Sequence, residues 1–559
     1  MSDIGRVLLT AKEALLSNLT AINVTGSNIA NVNTPGYSRL RPMFESVGTK
    51  DATSAQGQAG VRIADVERIY DRFLETQIVE QQSSLANYSA QEDILGRVES
   101  VLNENAGGGI NDALSAFLNA WGNLSIDPSS KSRRDMLLST AQNLSYTFNQ
   151  KAKEITDIQL AANESVADSV TTLNGYLTQM VKLNKNIVDA ESAGNSASTL
   201  RDQRGELLNE IGKIIDVSYV EKSDGSLYIY LPSNGKALVE GINKWDLQAE
   251  RNSNGMYDIV FQTDPLQPIN DQINGGKLAG LLEVRDHAIP SYLDQLNQTA
   301  SSIINKVNKI HINGYDQNGN PGGLFFESTA YAKDMKVSSA IIADTRRIAA
   351  SATVNADGNN ATAITAITSD QMYASIGVLD VTAVSPTASG TATLNNVGQA
   401  YKNTTTDIVI TRGLTPGSWT VTNNGGYDSL GILTSNDTTV TLDLNGDLTA
   451  DITLALSGTW ADTDNISFGL TQSESTASID GYFNAFIANM GQDVDNATRA
   501  MTSETAVLNQ QTNQRDQLSG VSLDEEMMNL IKYQMAYGAA GRMTKTVNEL
   551  MDILINLGQ

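Results

Sequence analysis

Asn28-Ile-Ala-Asn-Val-Asn-Thr-Pro-Gly-Tyr-Ser-Arg39 ends an amphipathic helix abruptly, and the rest of the chain is organised around that stop. Pro35 restricts the residue before it, while Asn31, Asn33 and Gly36 tolerate left-handed turns, so a helix cannot run through. Upstream, Leu8, Leu15, Ile22 and Ile29 recur at every seventh position, with Ile4, Ala11, Asn18 and Thr25 at the second seam position between them. A heptad of this kind asks for a partner helix. The candidate partner lies at the other end of the chain. Leu523, Met527 and Leu530 begin a 4-3 pattern, and Met543, Val547, Leu550, Leu554 and Leu557 resume it. Terminal helices that need each other close the chain into a loop, with everything else inserted between them. The role expected of these side chains is burial, worth about 1.5–3 kcal/mol for each one fully covered.

Ala30-Asn-Val-Asn-Thr-Pro-Gly-Tyr37 resembles the N-terminal signature of the flagellar rod, hook and hook-associated proteins. Ser519-Gly-Val-Ser-Leu-Asp-Glu-Glu-Met-Met-Asn-Leu-Ile-Lys-Tyr-Gln-Met-Ala-Tyr537 resembles their C-terminal signature. The internal stretch Asn313-Gly-Tyr-Asp-Gln-Asn-Gly-Asn-Pro-Gly-Gly-Leu-Phe-Phe326 directs the resemblance to the hook-associated members. The β-rich segment from Ser351 to Leu470 carries no part of it. The resemblance implies a structural protein at the junction of flagellar hook and filament, with no enzymatic activity and no cofactor. It implies self-association into a junction ring and contacts with the hook protein and a second junction protein. A cytoplasmic export chaperone is implied on the C-terminal helix, followed by passage through the flagellar type III export apparatus to an extracellular position. It further implies that the terminal helices fold on incorporation into an inner coiled-coil tube. Asn31, Thr34, Pro35, Gly36 and Tyr37 would then shape a hinge at the exit from that tube. Two alternatives stay open: another axial protein of the hook type, and an adhesin or carbohydrate binder in the β segment. For the latter, Trp419, Tyr427 and Trp460 are the stacking aromatics, and core packing explains them equally well.

A chain of 559 residues exceeds one hydrophobic core, so several domains are expected. Its net charge of −25 repels nucleic acid and anionic membrane. There is no cysteine, which excludes disulfides, thiolate catalysis and thiolate metal sites. Asp3, Arg6, Lys12 and Glu13 interrupt the first residues, so no cleaved leader is expected. No apolar run reaches the membrane-spanning length of about 18 residues.

In order, Leu40–Val61 is expected as linker or short strands, with helix resuming near Val66. The longest 4-3 periodicity runs from Arg133 to Glu191 through Leu137, Leu144, Phe148, Ile155 and Leu177, a helix of roughly 90 Å. Between Asp216 and Phe261 the period becomes two, with Asp224-Gly225, Asn234-Gly235 and Asn254-Gly255 as hairpin turns. Ile289 to Ile310 restores the helical period. The Thr-, Ser- and Val-rich residues before Leu470 then favour strands, and Ile479 to Leu518 is helical again. The fold class is multidomain α+β: a long helical rod built from both terminal segments, with inserted mainly-β domains. The expected division is 1–60 with 520–559 as a terminal helical domain, disordered in the free monomer. Residues 61–215, 270–335 and 476–519 form the helical rod. Residues 216–269 form a small β subdomain, and 336–475 an all-β outer domain.

Other constellations point to no chemistry. His287 and His311 lack a triad context. Asp443-Leu-Asn-Gly-Asp-Leu448 lacks the glycine and the bidentate glutamate of a calcium loop, and is expected as a hairpin turn. Gly107-Gly-Gly109 lacks the Lys-Ser/Thr of a phosphate loop and is expected as a hinge between helices. Met527, Met528, Met535, Met543 and Met551 suit a helix that exchanges one apolar partner for another.

Overall fold

The computed structural model describes residues 2–34, 36–48, 58–103, 108–194, 196–354, 357–369, 371–384, 391–397, 407–415, 417–424, 430–436, 438–443, 452–457 and 459–557. Helix α1 (Ser2–Ala30) leads into the strand pair β1 (Leu40–Gly48) and β2 (Gln58–Arg68). Helices α2 (Arg72–Leu102), α3 (Ile110–Ile126), α4 (Lys131–Ser192) and α5 (Ser198–Ile214) follow. Next come β3 (Ser218–Glu221), β4 (Leu227–Tyr230), β5 (Ala237–Glu240), β6 (Asn243–Lys244), β7 (Leu247–Arg251), β8 (Tyr257–Phe261) and β9 (Asp264–Pro268). Helices α6 (Gly276–Glu283) and α7 (Ile289–Ile312) flank a π turn at Val284–Ala288, and the short α8 (Ser339–Ala343) and α9 (Asn359–Thr365) come after them. The second β region holds β10 (Gln371–Val384), β11 (Thr391–Val397), β12 (Ile408–Arg412), β13 (Trp419–Asn424), β14 (Gly431–Ser435), β15 (Thr439–Asp443), β16 (Ile452–Ser457) and β17 (Asn465–Ser478). Helices α10 (Ile479–Ser519) and α11 (Leu523–Leu557) close the chain.

The chain divides into two compact units. One comprises 1–94, 161–284 and 495–559, the other 95–160 and 285–494. Helix α4 is 62 residues long, about 93 Å at 1.5 Å per residue. Its 4-3 stripe is buried throughout. Leu137, Ala141, Leu144, Phe148 and Ile155 serve one unit, and Ala162, Val166, Leu173, Leu177 and Met180 the other. In the first unit the sheets run β3-β4-β5-β6 and β7-β8-β9. Asn184 anchors one of them to α4, donating to the carbonyls of Leu227 (2.8 Å) and Gly241 (2.9 Å) and accepting from the Leu227 N–H. Asn174 does the same for β7, donating to the Leu247 carbonyl at 2.7 Å and accepting from the Leu247 N–H at 3.0 Å.

In the second unit, the sheets β10-β17-β12-β13 and β11-β16-β15-β14 pack face to face. Alternate residues Ile408 and Ile410, Val440 and Leu442, Ile452 and Leu454, Ile466 and Phe468 point into one core. This is the period-two pattern of a sandwich. Trp419 and Trp460 belong to that core, edge to face at 5.3 Å, and are not presented for stacking. Tyr427 and the Asn445-Gly446 turn lie outside the described residues, as does Gly107.

Two expectations need correction. Val66 sits in β2, and helix begins only at Arg72, because β2 pairs along its length with β1. Within 336–475 the strands begin at Gln371. The residues before it form α8 and α9, and α9 packs on α3 and α7. Ala361 and Ile364 are fully buried there, which a Thr- and Ala-rich composition does not reveal.

Candidate assembly site at the paired termini

Helices α1 and α11 pack against each other within the one chain, and α1 also lies on β1 and β2. On α1 the covered side chains are Ala11, Ser17, Ala21, Val24, Thr25 and Asn28. On α11 they are Glu526, Ala540 and Val547, with Leu530, Tyr533, Ala536, Thr544 and Met551 half covered. Ser17 donates to the Val61 carbonyl at 2.9 Å, and the rings of Phe44 and Tyr533 lie 5.8 Å apart. The strand pair thus touches both helices.

This seam is not the one expected from bulky residues. Leu8, Leu15, Ile22 and Ile29 are half-buried at its border. On α11, Val547 is buried and Leu530 half-buried, whereas Leu523, Met527, Met543 and Leu550 are exposed. The side chains of Ile4, Leu554 and Leu557 lie outside the described residues. The physical reason is close approach: small residues let two helix backbones come together, and the large apolar ones are turned to the border and outer face. Leu9, Leu16 and Leu19 on α1, and Met527, Met528, Ile531, Met535, Leu550 and Ile553 on α11, are left 44–69% exposed.

The stop after α1 is built from the residues around the turn. Asn31 donates to the Ser27 carbonyl at 2.9 Å, and Thr34 donates to the Asn31 side chain at 3.2 Å. Gly36 has φ +74°, the left-handed conformation that a glycine adopts without strain. Pro35 lies outside the described residues. Tyr37 folds back and donates from its hydroxyl to Asn28 Oδ1 at 2.8 Å. Asn28 is itself buried and satisfies four groups. Its Oδ1 also accepts from the Leu40 N–H at 3.0 Å, and its Nδ2 donates to the Leu40 carbonyl at 2.8 Å and to Glu526 Oε2 at 3.0 Å.

Glu526 is 2% exposed, and its other oxygen takes Arg39 Nη2 at 2.7 Å, while Arg39 Nη1 reaches Glu525 at 2.8 Å. The Arg39 N–H donates to the Ser519 carbonyl at 2.9 Å. Burial works against the charge on Arg39, but Glu526 and Glu525 outweigh it and hold the guanidinium firmly protonated. Burial, reinforced by the carboxylates of Asp202 and Glu526, raises the Tyr37 phenol above its ordinary range. The N-terminal and C-terminal motifs, almost a chain length apart in sequence, are therefore one physical site. Sequence reasoning passed over Asn28, Arg39, Glu525 and Glu526. The available signal was a pair of polar side chains at seam-adjacent positions inside the two motifs.

Among the described residues, no group of three or more His, Asp or Glu side chains is placed to hold a metal ion. No helix among them is long and apolar enough to cross a membrane.

Family comparisons fall on the same segments. The model of the flagellar hook-associated protein FlgK helical domain matches residues 95–326. That of the flagellar basal body rod FlgEFG protein C-terminal region matches 513–557, and that of the flagella basal body rod protein matches 8–37. Flagellar hook-associated protein 1 of Bacillus subtilis (strain 168) is 26% identical over 582 residues, covering 98% of this chain and 97% of the relative. The protein of that name from Escherichia coli (strain K12) is 24% identical, covering 98% of each. Over nearly its full length the chain is similar to flagellar hook-associated protein 1. A solved structure of the flagellar hook junction protein FlgK from Burkholderia pseudomallei shares the fold, with a TM-score of 0.50 at 18% identity over 79% of this chain and all of that one. The matches support a structural role in the flagellum, at the hook–filament junction.

The internal motif, within the segment matched by the helical-domain model, also has a physical basis. His311, at the end of α7, is fully buried against Trp121 and Phe325. Its Nε2 accepts from the Ala349 N–H at 2.8 Å, so Nδ1 carries the proton and donates to the Gly323 carbonyl at 2.6 Å. Burial pushes its pKa down to about 4. A Cβ on Gly322 would stand 2.0 Å from the His311 carbonyl oxygen, which is why the loop needs glycine there. His287 is exposed.

Proposed function

We propose that the paired terminal helices are the part of the molecule that seats one copy among its neighbours at the junction, with the exposed apolar side chains as the contact surface. The observation that carries this is the inversion of the seam. Small residues face inward, and Leu9, Leu16, Leu19, Met528, Ile531 and Met535 face outward. An apolar stripe of this kind on a terminal helix pair marks an interaction surface. Further copies of the chain, the hook protein and a second junction protein are the occupants that fit a junction role. A seam of Ala, Ser and Thr buries little area per residue, so the pair is held loosely and is completed by neighbours.

The same stripe supports a chaperone on α11 before export. Methionine is flexible and polarisable, and it suits a surface that changes partners. Passage through the export apparatus from the cytoplasm to the flagellar exterior follows from that reading. The test is to place Asp at Leu16 and at Met535 separately and follow each variant in cells. Export without retention on the hook is expected. Normal filament growth by both would contradict the proposal. The adhesin alternative has no support here, because Trp419 and Trp460 are core residues.

A further inference from the structure

In the unit that holds the terminal pair, α4 and α5 leave a long groove open between them. Asp168, Thr172, Tyr176, Gln179, Leu183 and Asn186 line it from α4, each three or four residues from the last. Leu200, Gln203, Leu207, Glu210 and Ile214 line it from α5 at the same helical spacing. Two cavities, of about 910 and 850 Å³, make it up and share Tyr176 and Glu210. From Asp168 to Asn186 it follows α4 for about 27 Å. Tyr176, Leu183, Leu200, Leu85 of α2 and Leu508 of α10 are half-buried along it. A groove of this form, apolar between two helices, takes a third helix. Its rim is acidic. Glu92, Asp93, Asp168 and Glu206 make no ion pair among the described residues, while Asp202 is taken by Arg68 and Glu210 by Lys213. Against those four carboxylates stand Lys182 and Lys277.

We infer that the outward face of α11 in one copy seats in the α4–α5 groove of a second copy, an inference that rests on the assembly reading of that face and adds the surface that receives it. Charge selects the occupant. Residues 527–548 carry Lys532, Arg542 and Lys545 and no carboxylate, in a chain whose net charge is −25. Met528, Ile531, Met535 and Arg542 fall on one exposed face of α11, with Lys532 beside them. Lys532 and Arg542 make no ion pair among the described residues. The stripe on α1 lacks this bias, because Lys12 and Glu13 cancel between Leu9 and Leu19. Length agrees as well: from Met528 to Thr546 the face of α11 runs about 27 Å, the length of the groove. That face is exposed in its own chain, so the helix that fills the groove comes from another copy. Met528, Ile531 and Met535 then cover the half-buried leucines, and Lys532 and Arg542 meet the acidic rim. Two chains that repel through their net charge are thereby brought together by one local attraction.

The chain has no cysteine, so cross-linking of introduced cysteines tests the pairing without background. Gln179 and Met535 lie near the middle of the groove and of the α11 face, so they meet whichever way the helix lies. In hook–junction particles from cells whose only copy carries both Gln179→Cys and Met535→Cys, a short bismaleimide should join chains into dimers and longer ladders. Neither single variant should be joined. No cross-link in the double variant overturns the groove, and so does equal cross-linking by Met535→Cys alone, which would put α11 against another α11. A second arm reverses charge at the exposed rim. Asp168→Lys with Glu206→Lys should leave the melting curve unchanged and lower retention on the hook about 10-fold, with recovery when Lys532→Glu and Arg542→Glu are added. Full retention of the reversed rim overturns the groove. If Met535→Asp is still released, the assembly reading survives that result; normal filaments on Met535→Asp would instead remove the assembly reading itself.

Discussion

At the scale of single residues, Asn28 is the position where most is decided. Its amide joins the end of α1, the Tyr37 hydroxyl, both backbone groups of Leu40 and the carboxylate of Glu526. Asn28→Ala removes the amide donor from Glu526 Oε2, although the carboxylate keeps Arg39, and takes away the side-chain partners of both Leu40 backbone groups. Unsatisfied buried groups cost roughly 1–3 kcal/mol each, so a loss of about 3 kcal/mol in the opening free energy of α1 is expected by hydrogen exchange. Gly322→Ala should cost a similar amount in the other unit, on the order of 3 kcal/mol in urea unfolding, because the new methyl falls on the His311 carbonyl. His311 sets a pH dependence of definite sign. Its folded value near 4 lies below the unfolded 6.5, so only the unfolded chain takes up the proton between them. Stability from neutral His311 is therefore complete above pH 6.5 and is lost as pH falls towards 4. The near-UV signal of Trp121, which packs on His311, should melt at lower temperature at pH 5 than at pH 7. In His311→Gln that difference should shrink.

At the scale of elements, the α1–α11 seam separates two kinds of substitution. Ala540→Leu forces a large side chain into a close contact and should cost about 1–3 kcal/mol of helix pairing, seen as faster exchange on both helices. Met535, 69% exposed, should tolerate Ser with no change in the monomer's melting curve. The sequence showed that both helices exist and that they need a partner, since period and stop signal are local properties. It did not show which face pairs. A heptad search weights Leu, Ile and Met, whereas this seam is chosen by how closely Ala11, Ala21 and Ala540 let the backbones approach. Ile408 to Phe468 were legible as strands because alternation is also local. The α8–α9 stretch was not, because its burial comes from α3 and α7, which are distant in sequence.

At the scale of the whole molecule, the chain is closed by its own ends: Arg39 meets Glu525 and Glu526 across nearly the full sequence. The family signatures were legible as motifs, but their meeting in one polar knot was not, because nothing local records which distant carboxylate an arginine will find. Deleting 523–559 should uncover the α1 seam and leave Arg39 without its carboxylates. The sandwich and the His311 cluster should keep their melting transition by near-UV circular dichroism. The most direct measurement is made in flagellated cells whose only copy carries Met528→Asp together with Met535→Asp, both on the outward stripe of α11. The expected result is a folded chain with an unchanged melting curve that is released into the medium while the hooks stay bare. Cells that swim with filaments of normal length would contradict the claim that this stripe is the assembly surface.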